Sequence, residues 1–115
     1  MKHAARMGEY LMRGLNDLGE KHLLIGNING RGLFIGVELV KDRKTKDPAT
    51  AECKSVQGEC LRRGLILAVG GYFGNILKVS CPLVITEEQA DRALEILDET
   101  LRVVENVVPA RSTTP

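Results

Sequence analysis

A strictly alternating segment, LFIGVELV at residues 33 to 40, constrains the fold of this chain more than any other feature. Alternation of this kind predicts an extended strand whose successive side chains point to opposite faces of a sheet. One face carries Leu33, Ile35, Val37 and Leu39, and the other carries Phe34, Gly36, Glu38 and Val40. Because the first face is entirely apolar, we expect it to be buried against a core. The second is mixed, because it holds a carboxylate and a position without a side chain.

Two further short strands are predicted at residues 65–69 and 75–79, joined as an antiparallel hairpin by the glycine-rich loop GGYFG. Lys78 stands inside the second strand, between Leu77 and Val79. The alternation places those two apolar side chains on the core face and Lys78 on the opposite face, with Gly36 and Glu38. The segment GNINGRG, residues 26–32, has the composition of a turn.

Three segments have helical patterns. Residues 4–22 place apolar side chains at steps of three and four, which predicts an amphipathic helix. A second helix is expected to begin with Asp47 as the N-cap and proline at the next position, and to end at Gly64. The third opens with the capping box TEEQ, residues 86–89, and continues to residue 108.

This order of elements predicts the α+β class: a two-layer sandwich in which a small, three-stranded, mainly antiparallel sheet has helices on one face. The length of 115 residues is enough for one core. We therefore expect one domain over residues 1–108, followed by a disordered tail over residues 109–115. The other sheet face is left for solvent or a partner.

Composition argues against several classes of partner. The 16 basic and 15 acidic residues leave a formal charge of +1, and two Phe, two Tyr and no Trp offer few stacking surfaces, so nucleic acid is not expected. No segment reaches membrane-spanning length, so no membrane partner is expected either. Three cysteines without a C-x-x-C pair favour a reducing, cytoplasmic setting.

The residues alone do not predict an active site. His3 and His22 are far apart in the sequence and are expected to be exposed to solvent. Cys53 and Cys60 lie on the apolar stripe of the second helix and are expected to act as small hydrophobic residues. The glycines at 30, 32 and 36 precede a strand, whereas a dinucleotide fingerprint links a strand to a helix.

Several joined segments nevertheless resemble one family. GRGLFIGVELVKDRKTKDPA (30–49), residues 62–101 and the leading GEYLMRGLNDL are similar to the C-terminal segment of class III aminotransferases. The resemblance implies a fold-type-I enzyme whose large domain binds pyridoxal 5'-phosphate and whose small C-terminal domain helps to close the active site. It also implies a homodimer that transfers an amino group from an amino acid or amine to a keto acid.

The resemblance gives Lys78 a candidate role in substrate binding. In many family members the strand before a PPL turn carries an arginine that holds the substrate carboxylate; Lys78 occupies that position here, and Cys81 replaces the first proline. The alternatives for Lys78 are a salt bridge with Glu38, or a stem lying along apolar surface with its charge in water.

The family's Schiff-base lysine belongs to the large domain, which this chain does not contain. We therefore predict a C-terminal domain, either a fragment or a truncated product, that alone binds no pyridoxal phosphate and catalyses no transamination. The second hypothesis is a non-catalytic α+β module that binds a small ligand or a protein through its open sheet face.

Overall fold

Three helices and five strands make up the computed structural model, which describes residues 2–31, 34–80 and 85–107, with side chains for 5–30, 34–80 and 85–106. The helices are α1 (Lys2–Lys21), α2 (Thr50–Arg62) and α3 (Glu87–Val107). The strands are β1 (Ile25–Arg31), β2 (Phe34–Asp42), β3 (Asp47–Pro48), β4 (Ala68–Gly70) and β5 (Ile76–Ser80). The tail predicted at residues 109–115, and Cys81, lie outside the described residues.

The strands form one antiparallel sheet in the order β1-β2-β5-β4, with β3 paired to the end of β2. Inward-facing side chains of β2 and β5, including Val37 and Leu77, are buried in a single core with residues from all three helices. The other face of the sheet carries no helix among the described elements. The α+β class, the two layers and the antiparallel β4–β5 hairpin are therefore confirmed.

The sheet has five strands and not the three predicted, because β1 and β3 were not recognised. β1 covers most of the segment predicted as a turn. Its glycines allow close approach to β2: a Cβ on Gly30 would stand 2.6 Å from the carbonyl oxygen of Phe34. Burial of Ile25 anchors the strand. Pairing with β2 thus outweighs the poor strand propensity of glycine and asparagine.

The predicted start of α2 was wrong by two residues. Asp47 and Pro48 form β3, and the helix begins at Thr50 with Ala49 as an N-cap that makes no side-chain capping hydrogen bond. The segment is held to the sheet instead, because the Ala49 N–H donates to the Leu39 carbonyl oxygen at 3.1 Å. Proline is compatible with a short peripheral strand, where its missing N–H removes no required bond.

Two other predicted helix boundaries, the start of α3 and the end of α2, were correct. Thr86 and Gln89 form the capping box reciprocally: the Gln89 N–H donates to Thr86 Oγ1 at 3.2 Å, and the Thr86 N–H donates to Gln89 Oε1 at 3.1 Å. Gly64 follows α2 with a φ of 94°, a left-handed conformation that glycine adopts without steric cost.

Candidate functional site

The sheet face that lacks a helix is the candidate site, and we call it the open face. Strand registers place on it one set of alternating positions from four strands. These are Asn27, Asn29, Phe34, Gly36, Glu38, Ala68, Gly70, Ile76, Lys78 and Ser80. All of them are exposed or half-buried, and Phe34 is 74 % exposed. An exposed face that combines an aromatic ring, a carboxylate and an ammonium group has the composition of an interaction surface.

Lys78 projects from the middle of this face, as the sequence predicted. Its neighbours in β5, Leu77 and Val79, are buried on the core side, and Lys78 itself is exposed. Directly opposite Lys78 stand Gly36 on β2 and Ala68 on β4. Because neither of these neighbours has a long side chain, the lysine stem has free space on both sides.

The predicted alternative of a salt bridge between Lys78 and Glu38 is not observed. Glu38 pairs with Ile76, two residues from Lys78, so the two charged side chains are diagonal neighbours and not direct partners. Within the described ranges, no ion pair involves either residue. An ammonium group without an internal counter-ion is available to an anionic ligand.

The loop between β4 and β5 carries two exposed aromatic rings at one end of the sheet. Tyr72 and Phe73 are both exposed and pack edge to face, with ring centroids 4.9 Å apart. The Thr50 hydroxyl donates to the Phe73 carbonyl oxygen at 2.6 Å. At the loop's end the buried Asn75 donates from Nδ2 to the Leu39 carbonyl oxygen at 2.8 Å.

Sequence reasoning missed this loop as a fixed element of the site. The sequence feature that could have indicated a fixed loop is Asn75, a polar residue between the glycine-rich loop and β5. A buried asparagine must satisfy its hydrogen-bonding groups inside the protein, and here it does so by tying the loop to β2. The base of the aromatic loop is thereby held against both α2 and the sheet.

The prediction that His22 is exposed was wrong. His22 is only 4 % exposed; its Nδ1 lies 2.6 Å from Glu105 Oε1, and its Nε2 lies 2.6 Å from Asp98 Oδ1. Carboxylates only accept hydrogen bonds, so the imidazolium form satisfies both contacts at once. The hydrogen bond from His22 is the largest cause that holds the pKa of Asp98 below its ordinary value. The cluster ties the residue that follows α1 to α3. The side chain of His3 is outside the described set.

Both described cysteines lie in the core, as the helical stripe predicted. Cys53 and Cys60 are buried and free of disulfides. Burial raises the pKa of the Cys53 thiol to about 11 and also raises that of Cys60. A protonated, buried thiol is a poor nucleophile and a poor metal ligand. No group of three or more metal-ligating side chains occurs among the residues that the structure describes.

The described lysine side chains differ in their surroundings from a lysine that forms a Schiff base. A lysine that forms a Schiff base is typically desolvated or placed beside another cation, which lowers its pKa. All the described lysine side chains are exposed: Lys21, Lys41, Lys44, Lys46, Lys54 and Lys78.

Among the described helices, none has the length and apolar character needed to span a membrane.

Comparison with known proteins gives a consistent result. The profile of the family "Aminotransferase class-III" matches residues 1–101. The chain is 44% identical over 100 residues to the mitochondrial alanine–glyoxylate aminotransferase 2 homolog 2 of Arabidopsis thaliana, covering 87% of this chain and 21% of that protein. It is 41% identical over 105 residues to a leucine/methionine racemase of Thermococcus litoralis, covering 91% of this chain and 23% of the racemase.

A solved structure described as a Bacillus anthracis aminotransferase superimposes with a TM-score of 0.83 at 34% sequence identity. The match covers 88% of this chain and 24% of that structure. The chain thus spans between a fifth and a quarter of the length of these relatives. It is similar to one contiguous part of much longer proteins. From the family match over residues 1–101 and the agreement of fold, we conclude that the chain belongs to the class III aminotransferase family.

Proposed function

We propose that this chain is the substrate-side C-terminal part of a pyridoxal-phosphate-dependent class III aminotransferase, which transfers an amino group from an amino acid or amine to a keto acid. The observation that carries the proposal is the open face. Lys78 projects from it and forms no ion pair with any described residue, and no described helix covers it. The identity to an alanine–glyoxylate aminotransferase supports amino transfer as the reaction.

The cofactor, in this proposal, is held by a large domain that packs against the open face in a homodimer. The exposed described lysines support this assignment, because none of them has the environment of a Schiff-base lysine. When bound, pyridoxal phosphate supplies an electron sink for the carbon that loses its proton. Alone, the chain is proposed to be inactive. A cytoplasmic location is proposed from the cysteines, of which the two described are free.

Lys78 is proposed to hold the carboxylate of the substrate. An ammonium group is a compact point charge with three donors, whereas the arginine of many relatives is a planar fork. Lysine therefore attracts a carboxylate without fixing its orientation by two parallel hydrogen bonds. We therefore expect the enzyme still to prefer substrates that carry a carboxylate. We expect it to fix the orientation of that carboxylate less strictly than an arginine would.

The test is expression of the chain joined to its upstream coding region. We expect a visible absorbance band from bound pyridoxal phosphate and amino transfer from an amino-acid donor to a keto acid. An extended protein that bound no pyridoxal phosphate would refute the proposal. Turnover that only inverts the configuration of one amino acid, with no acceptor required, would replace amino transfer by racemisation, the activity named for one relative.

Lys78→Met tests the contact with substrate in the same protein. Its KM for an amino acid should rise about tenfold, the size expected for losing one charge-assisted hydrogen bond, while the cofactor band is unchanged. Lys54→Met is the matched control, because Lys54 is also an exposed lysine but lies on α2, in the helical layer. An unchanged KM in Lys78→Met would exclude Lys78 from substrate binding.

A non-catalytic binding module is the second candidate, supported by the exposed Phe34 on the open face. A native gene without an upstream large domain, together with a folded and monodisperse 115-residue product, would favour it. Aggregation of the isolated chain would argue against it, because the open face would then behave as an unfilled domain interface. Size-exclusion chromatography with light scattering makes the distinction.

A further inference from the structure

Gly70 is the last residue of β4, and its backbone conformation does not require glycine. Glycine is needed at Gly71 and Gly74, where φ is 88° and 65°, but the φ of Gly70 lies outside the left-handed region. A residue with a side chain could adopt this backbone without strain. The absence of a side chain at Gly70 must therefore be explained by the space above it.

That space is filled by the side chain of Lys78. A Cβ placed on Gly70 would stand 2.7 Å from Lys78 Nζ and 3.4 Å from its Cδ. Lys78 pairs directly with Ala68, so its stem leans diagonally along β4, over two residues, to reach Gly70. The lysine lies across the edge strand instead of standing upright from the sheet.

The other glycine beside Lys78 shows that the lean has one direction. Gly36 is the direct partner of Lys78 on β2, yet a Cβ on Gly36 would meet Ile76 Cγ2 at 3.3 Å and no atom of Lys78 within 4 Å. The ammonium group therefore lies over Gly70 on β4, next to the loop that carries Tyr72. Its position on the open face depends on the bare backbone at Gly70.

We propose that Gly70 is a positioning residue: its missing side chain forms a slot for the Lys78 stem and thereby sets where the ammonium group holds the carboxylate of a substrate. The second half of this statement rests on the proposed function of Lys78; the slot itself does not. A side chain at residue 70 displaces the ammonium group without touching the core, because the atoms it meets are the far end of a flexible exposed side chain.

The experiment is NMR spectroscopy of the 115-residue chain with ¹³C-labelled lysine, in which Lys78→Arg assigns the Lys78 signals. In the wild type we expect nuclear Overhauser effects from the Lys78 Hε protons to the Gly70 Hα protons. In Gly70→Ala these effects should be lost and the Lys78 Cε and Hε shifts should move. Gly36→Ala, the matched control on the same face, should retain the contact between Lys78 and Gly70. The thermal midpoint of Gly70→Ala should remain close to that of the wild type.

The wild-type measurement alone can overturn the proposal, whether or not the variants fold. Absence of the Lys78–Gly70 effects would show that the slot is not used, and so would an unmoved Lys78 signal in a folded Gly70→Ala. In the enzyme completed by its large domain, Gly70→Ala should raise KM for a carboxylate donor about tenfold and leave kcat/KM for an amine without a carboxylate unchanged. An equal loss for both substrates would contradict positioning.

Failure of this proposal is distinguishable from failure of the proposed function. If the Lys78–Gly70 contact is present and the completed enzyme transfers no amino group, the slot is retained and the enzymatic assignment is wrong. If amino transfer occurs and the contact is absent, the enzymatic assignment is retained and the proposed slot is wrong.

Discussion

His22 and Lys78 are both basic side chains next to apolar sequence, and the fold treats them in opposite ways. His22 is buried, and each of its ring nitrogens lies 2.6 Å from a carboxylate oxygen of α3. Lys78 is exposed, and no described acidic side chain forms an ion pair with it. The first charge site is saturated by the protein itself, while the second is left for something outside the chain.

The difference separates a structural role from a binding role. A buried group that loses its partners becomes costly, so a saturated cluster such as His22 with Asp98 and Glu105 stabilises one arrangement of α1 and α3. An exposed ammonium group costs little to leave unpaired in water and stays free to meet an anion. Substitutions at the two sites should therefore change different properties of the protein.

The largest effect on stability is expected from His22→Ala. Removing the imidazole leaves Asp98 and Glu105 facing each other without the group that both contact, and their side chains are only 21% and 31% exposed. Because both carboxylates retain some water, we expect a loss of about 2 kcal/mol in the free energy of unfolding, below the value for fully buried pairs. Urea denaturation followed by circular dichroism measures this loss.

Lys21→Ala is the control for that measurement, since Lys21 is the adjacent basic residue and is exposed at the end of α1. Its unfolding free energy should change by less than about 0.5 kcal/mol. Equal, small effects of the two substitutions would show that the His22 cluster does not stabilise the fold.

A smaller effect is expected from lowering the pH. The folded state holds the pKa of Asp98 below its ordinary value, chiefly through the hydrogen bond from His22. Between that lowered pKa and the ordinary aspartate pKa of 3.8, the unfolded chain binds more protons than the folded one. The contribution is fully present above the unfolded pKa and is lost as pH falls through the folded pKa.

The measurement is the urea midpoint at a series of pH values from neutral down to the acid range. Asp98→Asn should be less stable than the wild type at neutral pH and should show a shallower decrease below the unfolded pKa. Parallel curves for the two proteins would mean that Asp98 does not contribute to the pH dependence.

The smallest effect on stability is expected from Lys78→Met. This change removes an exposed charge with no internal counter-ion, so the free energy of unfolding should change by less than about 0.5 kcal/mol. The adjacent Leu77→Ala is the contrast, because that fully buried side chain should cost about 3 kcal/mol by leaving a cavity. A Lys78→Met cost close to that of Leu77→Ala would show that Lys78 is part of the structure and not a free binding group.

Local patterns predicted much of this fold. The alternation around residue 35 and around Leu77 assigned the described buried and exposed positions correctly, since side-chain direction in a strand depends only on the period of two. The exception is Val40, which was predicted on the mixed face and is buried. The capping box at Thr86 and the stop at Gly64 were also correct, because each rests on contacts within a few residues. The direction of Lys78 followed from the same alternation, and the family resemblance of the segments around it is confirmed by the family match.

The missed features depend on partners distant in the sequence. β1 was predicted as a turn because glycine and asparagine favour turns locally, but hydrogen bonding to β2 decides its conformation. Asp47 and Pro48 have the local signature of a helix start, yet β2 recruits them as β3. His22 had no local signal for burial, because its acceptors lie 76 and 83 residues further along the chain.

The sequence by itself therefore determined that three segments form helices, which face of β2 and β5 lies against the core, and that Lys78 projects from the opposite side. Only the tertiary structure decided that His22 is enclosed by α3 and that the Lys78 stem lies over Gly70. The reason is physical: periodicity and capping are fixed by neighbours within one or two turns of chain. The position of a charge relative to its partners is fixed by which elements pack together, and sequence spacing does not encode that distance.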